Sequence, residues 1–391
     1  MVTIISYIFW LFWVLFGVFS FAPAAFIFLF MRRESRKPWS IKIDHNFRPK
    51  ISIVVPTYNE SKIIDLKLAN LRRLKYPADL AEIIVVDSNS DDGTVEAVKR
   101  FIESNPERNF RLLEETERKG KSYALNHALG DCKGDLVIVS DADCFWPSDI
   151  LERAVPFLAD ATVGAVSGPK ILLNTQETWI TRMERDYLKS ANALRLGESK
   201  AGSTVFFEGG FSAFKKNAID KFDPYGTGSD DCGTVIHVIE NNFRTILVPE
   251  AVFYSPFPAS FRGKIDIKLR RANQLVRVFV KYLTSLAEGK VKGSKRTVIP
   301  NTLLYLFSPI TFIVFAFLTA LLLFSFPLLL MLFAFLIIPR IRFYFYEIFE
   351  SNILLLMAIF GAVGGKKFSI WNQPEDRIWL KKETLSRLNL I

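Results

Sequence analysis

From Val2 to Met31 the chain carries no charged side chain. A helix of about 20 apolar residues crosses a bilayer core, so this stretch is long enough to span even when tilted. A cleaved leader would open on positive charge and have a shorter apolar core. No Lys or Arg precedes Arg32, and the faint cleavage-site pattern Ala22-Pro23-Ala24 does not outweigh that. The segment reads as an anchor. Arg32, Arg33, Arg36 and Lys37 follow at once, and the positive-inside rule predicts a cytoplasmic domain after them.

The rest of the chain divides by composition. Half of all residues are hydrophobic, 36 are Phe, and 23% are charged, a mixture that fits a polar domain joined to apolar spans. A second apolar block, Pro300 to Ile338, is long enough for two spans if Ser325-Phe326-Pro327 breaks it. Phe343 to Gly365 contains Glu347 and Glu350 and reads as interfacial or re-entrant. The basic tail from Lys366, with Trp371 and Trp379, suits a cytoplasmic headgroup region. The expected organisation is an anchor over 1–32, a cytoplasmic domain over 33–260, amphipathic interfacial helices over 261–299, membrane or interfacial helices over 300–365, and a tail over 366–391. That gives three spans, with four as the alternative.

The net charge of +10 is accounted for by basic juxtamembrane segments and an anion-binding site, so no nucleic-acid partner is expected. Cys132, Cys144 and Cys232 show no metal-ligand spacing and are expected to be free thiols.

Between about Lys50 and Ser255, short β-branched runs alternate with helical stretches, the pattern of a mostly parallel sheet covered by helices. Ile51 to Val55, Glu82 to Val86 and Leu136 to Ser140 read as strands. Each ends in a polar loop: Pro56-Thr57-Tyr58-Asn59-Glu60, then Asp87 to Gly93, then Asp141-Ala142-Asp143. Ligands of open α/β sheets bind outside the carboxyl ends of the strands. A dinucleotide-binding dehydrogenase is disfavoured because no Gly-x-Gly-x-x-Gly follows the first strand.

Asp141 and Asp143, one residue apart at a strand end, can hold Mg²⁺ or Mn²⁺, hard ions that take oxygen ligands and bridge to phosphate. Alone, Asp-x-Asp is a weak signal, and Asp87 could equally cap a helix. The combination is more specific. Pro56 to Glu60, Val85-Val86-Asp87, Gly120-Lys121 with Ala124-Leu125-Asn126, and Ser140 to Asp143 are followed by Gly209-Gly210-Phe211, Phe214-Lys215-Lys216, Ser229-Asp230-Asp231 and Gln274-Leu275-Val276-Arg277. In this order and spacing, from about Ile51 to Arg277, the chain resembles family-2 glycosyltransferases of the GT-A fold, and its flanking membrane segments resemble the cellulose-synthase-like branch.

The resemblance implies an α/β GT-A domain with a mostly parallel sheet, together with α-helical transmembrane and interfacial segments. Carried over by position, it implies that Pro56, Thr57, Tyr58, Glu60 and Asp87 surround the base and ribose of a nucleotide-sugar donor, and that Gly120 and Lys121 lie near its base or diphosphate. Asp141 and Asp143 would take a Mn²⁺ or Mg²⁺ ion and the diphosphate. Asp231 stands where the family has its base, with Asp230 the second candidate. The residue-level alternative is a polar loop with a helix cap. Gln274 and Arg277 match the Gln-x-x-Arg-Trp pattern that approaches the diphosphate and acceptor, but Val278 replaces the Trp.

Lys264 to Leu286 reads as an amphipathic helix whose apolar side includes Leu269, Ala272, Val276 and Phe279. Its cationic side, Lys264, Lys268, Arg270, Arg271, Arg277 and Lys281, is expected on the membrane surface. Thr178 to Leu196 carries a second apolar helical side, suited to membrane or core packing. The missing Trp and the small number of spans argue against a processive polysaccharide synthase using a UDP-sugar. The expected activity is transfer of a single hexose, mannose from GDP-mannose by analogy, to a polyprenyl or dolichyl-phosphate acceptor or a dolichyl-linked sugar. An inactive membrane scaffold is disfavoured by the intact acidic positions.

Overall fold

The computed structural model describes residues 2–175, 177–327, 331, 334, 337–366 and 382–391. The uncharged N-terminal stretch forms one helix, α1 (Val2–Ser35). The polar domain then runs β1 (Ile51–Thr57), α2 (Ile64–Arg72), β2 (Ala81–Asp87), α3 (Thr94–Glu103), β3 (Asn109–Glu114), α4 (Lys121–Asp131) and β4 (Leu136–Val139). It continues through α5 (Ile150–Ala154), β5 (Val163–Ser167), β6 (Lys170–Leu172), α6 (Trp179–Ala201), β7 (Ser212–Lys215), α7 (Asp230–Glu240), β8 (Arg244–Leu247) and β9 (Phe253–Ser255). After it come α8 (Phe261–Ala287), α9 (Lys295–Thr302), a π-helical turn, α10 (Ser308–Ser325), α11 (Pro339–Val363) and α12 (Lys382–Arg387).

Seven strands form one sheet in the order β3-β2-β1-β4-β7-β5-β8. Only β7 runs antiparallel to its neighbours. Strand residues alternate between two faces, as a period of two requires. Ile51, Ile53 and Val55 pack with Leu68, Leu71 and Val98 on one side. Val54, Val137 and Val139 pack with Ala124, Leu125, Val235 and Phe279 on the other. Because β7 is reversed, its first residue Ser212 pairs with Val139 at the end of β4. The Gly209-Gly210 segment therefore arrives at the carboxyl edge, beside Asp141.

Three helices among the described residues are long and apolar enough to cross a membrane: Tyr7–Ser35, Lys295–Ser325 and Ile341–Val363. Placement differs from expectation. The second apolar block supplies one such helix, which ends at Ser325, and the third is the segment expected to be interfacial. Its carboxylates do not face lipid. Glu350 meets Lys264 at 2.7 Å and Lys268 at 2.8 Å, and Glu347 meets Lys268 at 3.4 Å. An ionisable residue inside a membrane helix is tolerated when it faces protein and a partner. Trp371 and Trp379 lie outside the described residues.

The same contacts revise α8. Lys264, expected at a membrane surface, is fully buried, and Lys268 and Arg271 also approach Glu184 of α6, at 3.9 and 4.0 Å. One cationic stripe of α8 thus faces protein carboxylates. Helix α6 packs along α1 and against β8, while Trp179 at its start is exposed.

Candidate active site

The first two loops bind each other. Asp87 is buried at the end of β2. It accepts from Thr57 Oγ1 at 3.1 Å, from Ser90 N at 2.8 Å and from Ser90 Oγ at 2.6 Å. It does not cap a helix; Gly93, in a left-handed conformation, precedes α3. Asn59 adopts φ 55°, and its amide exchanges hydrogen bonds with Asp91 at 2.8 and 3.1 Å. Asn tolerates this region better than most residues. Glu60 is buried and its N–H donates to Thr94 Oγ1 at 2.9 Å. The Arg118 guanidinium lies 3.6 Å over the Tyr58 ring, a flat cationic wall that no sequence motif signalled. Pro56 continues β1 in register with Val86.

Gly120, at φ 100°, turns the chain into α4 and puts Lys121 at its first position. Lys121 Nζ stands 2.6 Å from Asp141 and 2.9 Å from Asp230, so three segments far apart in sequence meet at one ammonium. Burial would lower its pKa, but Asp141, Asp230 and Asp231 outweigh burial and hold it well above the ordinary lysine value. Burial raises Asp141 and Asp230 from their ordinary value, and Lys121 only partly opposes this.

Ser229 caps α7, so the loop is a helix cap and part of the cluster at once. Asp230 is committed to Lys121. Asp231 Oδ1 accepts from Ser229 Oγ at 2.5 Å and from Cys232 N at 2.7 Å, while its Oδ2 faces Gly209. A methyl group at Gly209 would lie 3.1 Å from Lys121 Nζ, 3.2 Å from Asp141 Oδ2 and 3.6 Å from Asp231 Oδ2. That glycine keeps open the space onto which the charged groups converge. The carbonyl of Gly210 accepts from Trp146 Nε1 at 2.8 Å, which fixes the segment.

Asp141 and Asp143 belong to a group with Cys144 whose ligand atoms all lie within 4.8 Å of one another. The oxygens suit a hard divalent ion and the sulfur does not. Cys144 is buried, and burial pushes its thiol well above the usual range, keeping it protonated. Four carboxylates, Asp141, Asp143, Asp230 and Asp231, meet the cations Lys121, Arg270 and Lys67 here. The carboxylates outnumber the cations and offer hard oxygen ligands, so the residues fit a divalent ion.

Besides Arg118, no motif marks Lys67 or Arg270. Lys67 looks like a surface lysine of α2 but is fully buried; its Nζ donates to Ser140 Oγ and to the Cys144 carbonyl, both at 2.5 Å, pinning both ends of the Asp141 loop. Arg270 was read as part of a membrane-facing stripe. Burial and the neighbouring Arg271 lower it to about 10, opposed by Asp141, Asp231 and Asp230, so it is a charged guanidinium held beside the carboxylates. One turn on, Gln274 donates to the Gly228 carbonyl, which places this side of α8 against the α7 loop. Arg277 instead donates to the Lys366 carbonyl at 2.6 Å. Val278 is fully buried in the core. Helical spacing could have separated the stripe of Arg270, Gln274 and Arg277 from that of Lys264, Lys268 and Arg271; which stripe faces the site is decided by packing.

A mostly parallel sheet whose carboxyl edge carries paired aspartates, a half-buried lysine and a reversed strand next to the aspartates defines the GT-A class of nucleotide-diphospho-sugar transferase folds. The sequence profile of Glycosyl transferase family 2 matches residues 52–222. The mannosyltransferase PcManGT from Pyrobaculum calidifontis, solved in complex with GDP-Man and Mn²⁺, is 32% identical, with a TM-score of 0.78 over 91% of this chain and 99% of that one. This chain belongs to glycosyltransferase family 2. An N-acetylglucosaminyltransferase of Rhizobium meliloti (strain 1021) is 27% identical over 242 residues, 59% of this chain and 56% of the relative. A beta-monoglucosyldiacylglycerol synthase of Synechocystis sp. is 34% identical over 134 residues, 34% of this chain and 28% of the relative. The chain spans about half the length of the N-acetylglucosaminyltransferases it matches.

Proposed function

We propose that this chain is an inverting, metal-dependent hexosyltransferase that moves one mannose from GDP-mannose to a polyprenyl or dolichyl-linked acceptor at the membrane. The observation that carries the reading is the convergence of Lys121, Asp141, Asp230 and Asp231 on the space over Gly209. Mannose and GDP are favoured by the likeness to PcManGT, which covers nearly all of that chain. The relatives named N-acetylglucosaminyltransferase favour N-acetylglucosamine as the second reading. A lipid-borne acceptor is favoured by three membrane-length helices, with α11 ion-paired to α8, the helix that carries Arg270 and Gln274.

In this reading Thr57, Tyr58, Glu60 and Asp87 hold the nucleoside, with Pro56 and Gly120 shaping the loops around it. Asp141 and Asp143 hold Mn²⁺ or Mg²⁺, which when bound supplies charge neutralisation for the leaving diphosphate. Lys121 and Arg270 face the same developing charge from the protein side, where preorganised cations are most effective. Asp231 Oδ2 takes the proton of an acceptor hydroxyl as its oxygen attacks the anomeric carbon from the side opposite the diphosphate, inverting the configuration. Asp230 keeps Lys121 in place, and Gln274 holds the Gly228 loop. The catalytic domain lies on the cytoplasmic side, with Arg32, Arg33 and Arg36 at the inner face.

The test is donor turnover by the full chain in detergent with GDP-mannose, UDP-glucose and UDP-N-acetylglucosamine, with Mn²⁺ or Mg²⁺, with and without a short polyprenyl phosphate and a polyprenyl-linked sugar. Lipid-dependent GDP release with one mannose in the organic phase is expected. Preference for UDP-N-acetylglucosamine would move the assignment to the second reading, and lipid-independent growth of a long polymer would overturn single transfer.

A further inference from the structure

A cavity of about 290 Å³ lies apart from the catalytic cluster, lined by Ser40, Lys200, Asn242, Arg244, Gly293 and Ser294. It sits where two membrane-length helices meet the polar domain. Lys200 Nζ donates to the carbonyls of Ser35, the last residue of α1, at 2.7 Å and Lys37 at 2.6 Å. Ser294 directly precedes α9, at the start of the candidate span Lys295–Ser325. Arg244 donates to the Ser199 and Gly202 carbonyls at the end of α6, both at 2.8 Å, and to Ser40 Oγ at 3.3 Å.

Neither cation forms an ion pair with a carboxylate among the described residues. Asp160 acts on Arg244 from a distance, yet burial still lowers the guanidinium below its ordinary value. Both side chains cap helix C-termini, and each such end carries roughly half a negative charge. Two full cations against two such ends, with Asp160 acting only from a distance, leave the cavity positive. Arg36, Lys292, Lys295 and Arg296, all exposed, are close in sequence to the lining residues Ser40, Gly293 and Ser294 and make these segments cationic. A half-enclosed positive cavity at the level where spans leave the bilayer is suited to one chemistry, an anionic phosphate group.

We propose that this cavity binds the phosphate of an anionic phospholipid from the leaflet next to the catalytic domain, and that the bound headgroup fastens α6 to the junction of α1 and α9. Phosphate groups also occur free in solution, so the two sources must be separated. The site does not depend on the catalytic assignment, and its test does not read turnover.

Gly293 provides the probe. A Cβ there meets nothing within 4 Å, and no positive φ opposes substitution, so this lining position can be changed while Lys200 and Arg244 stay native. The full chain, as native protein and as Gly293→Ala, Gly293→Trp and Gly293→Glu, would be tested for binding of fluorescent phosphatidylglycerol in detergent. Unlabelled phosphatidylglycerol, phosphatidylcholine or inorganic phosphate would compete. Thermal unfolding would be followed in parallel. Phosphatidylglycerol should bind at least fivefold tighter than phosphatidylcholine and raise the native unfolding midpoint by about 3 °C. Gly293→Ala should keep that preference, and both Gly293→Trp and Gly293→Glu should abolish it. Loss in Gly293→Glu alone would mean diffuse surface attraction and overturn the site, as would retention in both. Inorganic phosphate competing as well as the lipid would overturn the lipid assignment in favour of a soluble anion.

Discussion

Arg195→Met tests how the floor of the active site is supported. Arg195 of α6 reaches Glu208, the residue before Gly209, with Nη1 2.5 Å from Oε1 and only 7% and 13% of the two side chains accessible. Burial would push the Glu208 carboxyl up, but Arg195, with Lys170 and Arg271 behind it, holds it at about 2. Against an ordinary glutamate near ~4.3, a depression of about two units is worth roughly 3 kcal/mol at neutral pH. Breaking a buried pair by removing one partner costs about 3–5 kcal/mol by a separate route. A loss near 3 kcal/mol lowers the unfolding midpoint of a domain this size by about 6–12 °C.

The pH dependence supplies a second, sharper criterion. In the native protein the folded pKa of Glu208 lies below its unfolded value, so its contribution is complete above pH ~4.3 and is lost as the pH falls toward about 2. Without Arg195, burial dominates and the folded value lies above the unfolded one. The methionine variant should therefore gain stability as the pH is lowered from about 7 to about 5. The assay is thermal unfolding by tryptophan fluorescence in detergent at both pH values, with Arg195→Lys as a partial rescue. A methionine variant indistinguishable from native at neutral pH, or one whose deficit deepens on acidification, would refute the argument.

Other expectations address the chemistry. Lys121→Met should leave Asp141 and Asp230 facing each other and lower the melting temperature at neutral pH, with Mn²⁺ restoring more stability to the variant than it adds to the native chain; equal Mn²⁺ shifts would count against the cluster. Asp231→Asn should cut transfer to a hydroxyl acceptor by about 10²–10⁴-fold while nucleoside diphosphate binding, measured calorimetrically, stays within a few-fold. Asp230→Asn, by freeing Lys121, should instead weaken that binding, and the reverse pattern would exchange their roles. Arg270→Met should weaken the nucleoside diphosphate at least tenfold more than the monophosphate, and more than Arg277→Met does; equal effects on both nucleotides would remove Arg270 from the diphosphate.

Much of this molecule was legible in one dimension because the physics involved is local. Thirty-odd uncharged residues cannot remain in water, alternating β-branched runs fall at the strands β1, β2 and β4, and polar loops at strand ends lie on the carboxyl edge. Asp141, Asp143, Lys121 and Asp231 could be picked out because their motifs recur in order. What the one-dimensional pattern could not assign was the partner of each charge. Lys67 belongs to no motif and Lys264 is expected at the membrane surface, yet both are fully buried. Glu347 and Glu350 argue against a span by composition, whereas in the fold α8 supplies their counter-ions. Arg270 and Arg271 are adjacent on one helix but turn toward different carboxylates. A charged side chain is stable in any environment that provides its opposite charge and hydrogen bonds. Composition and periodicity say that a charge exists, whereas only the packing of α6, α8 and α11 against the sheet decides what neutralises it.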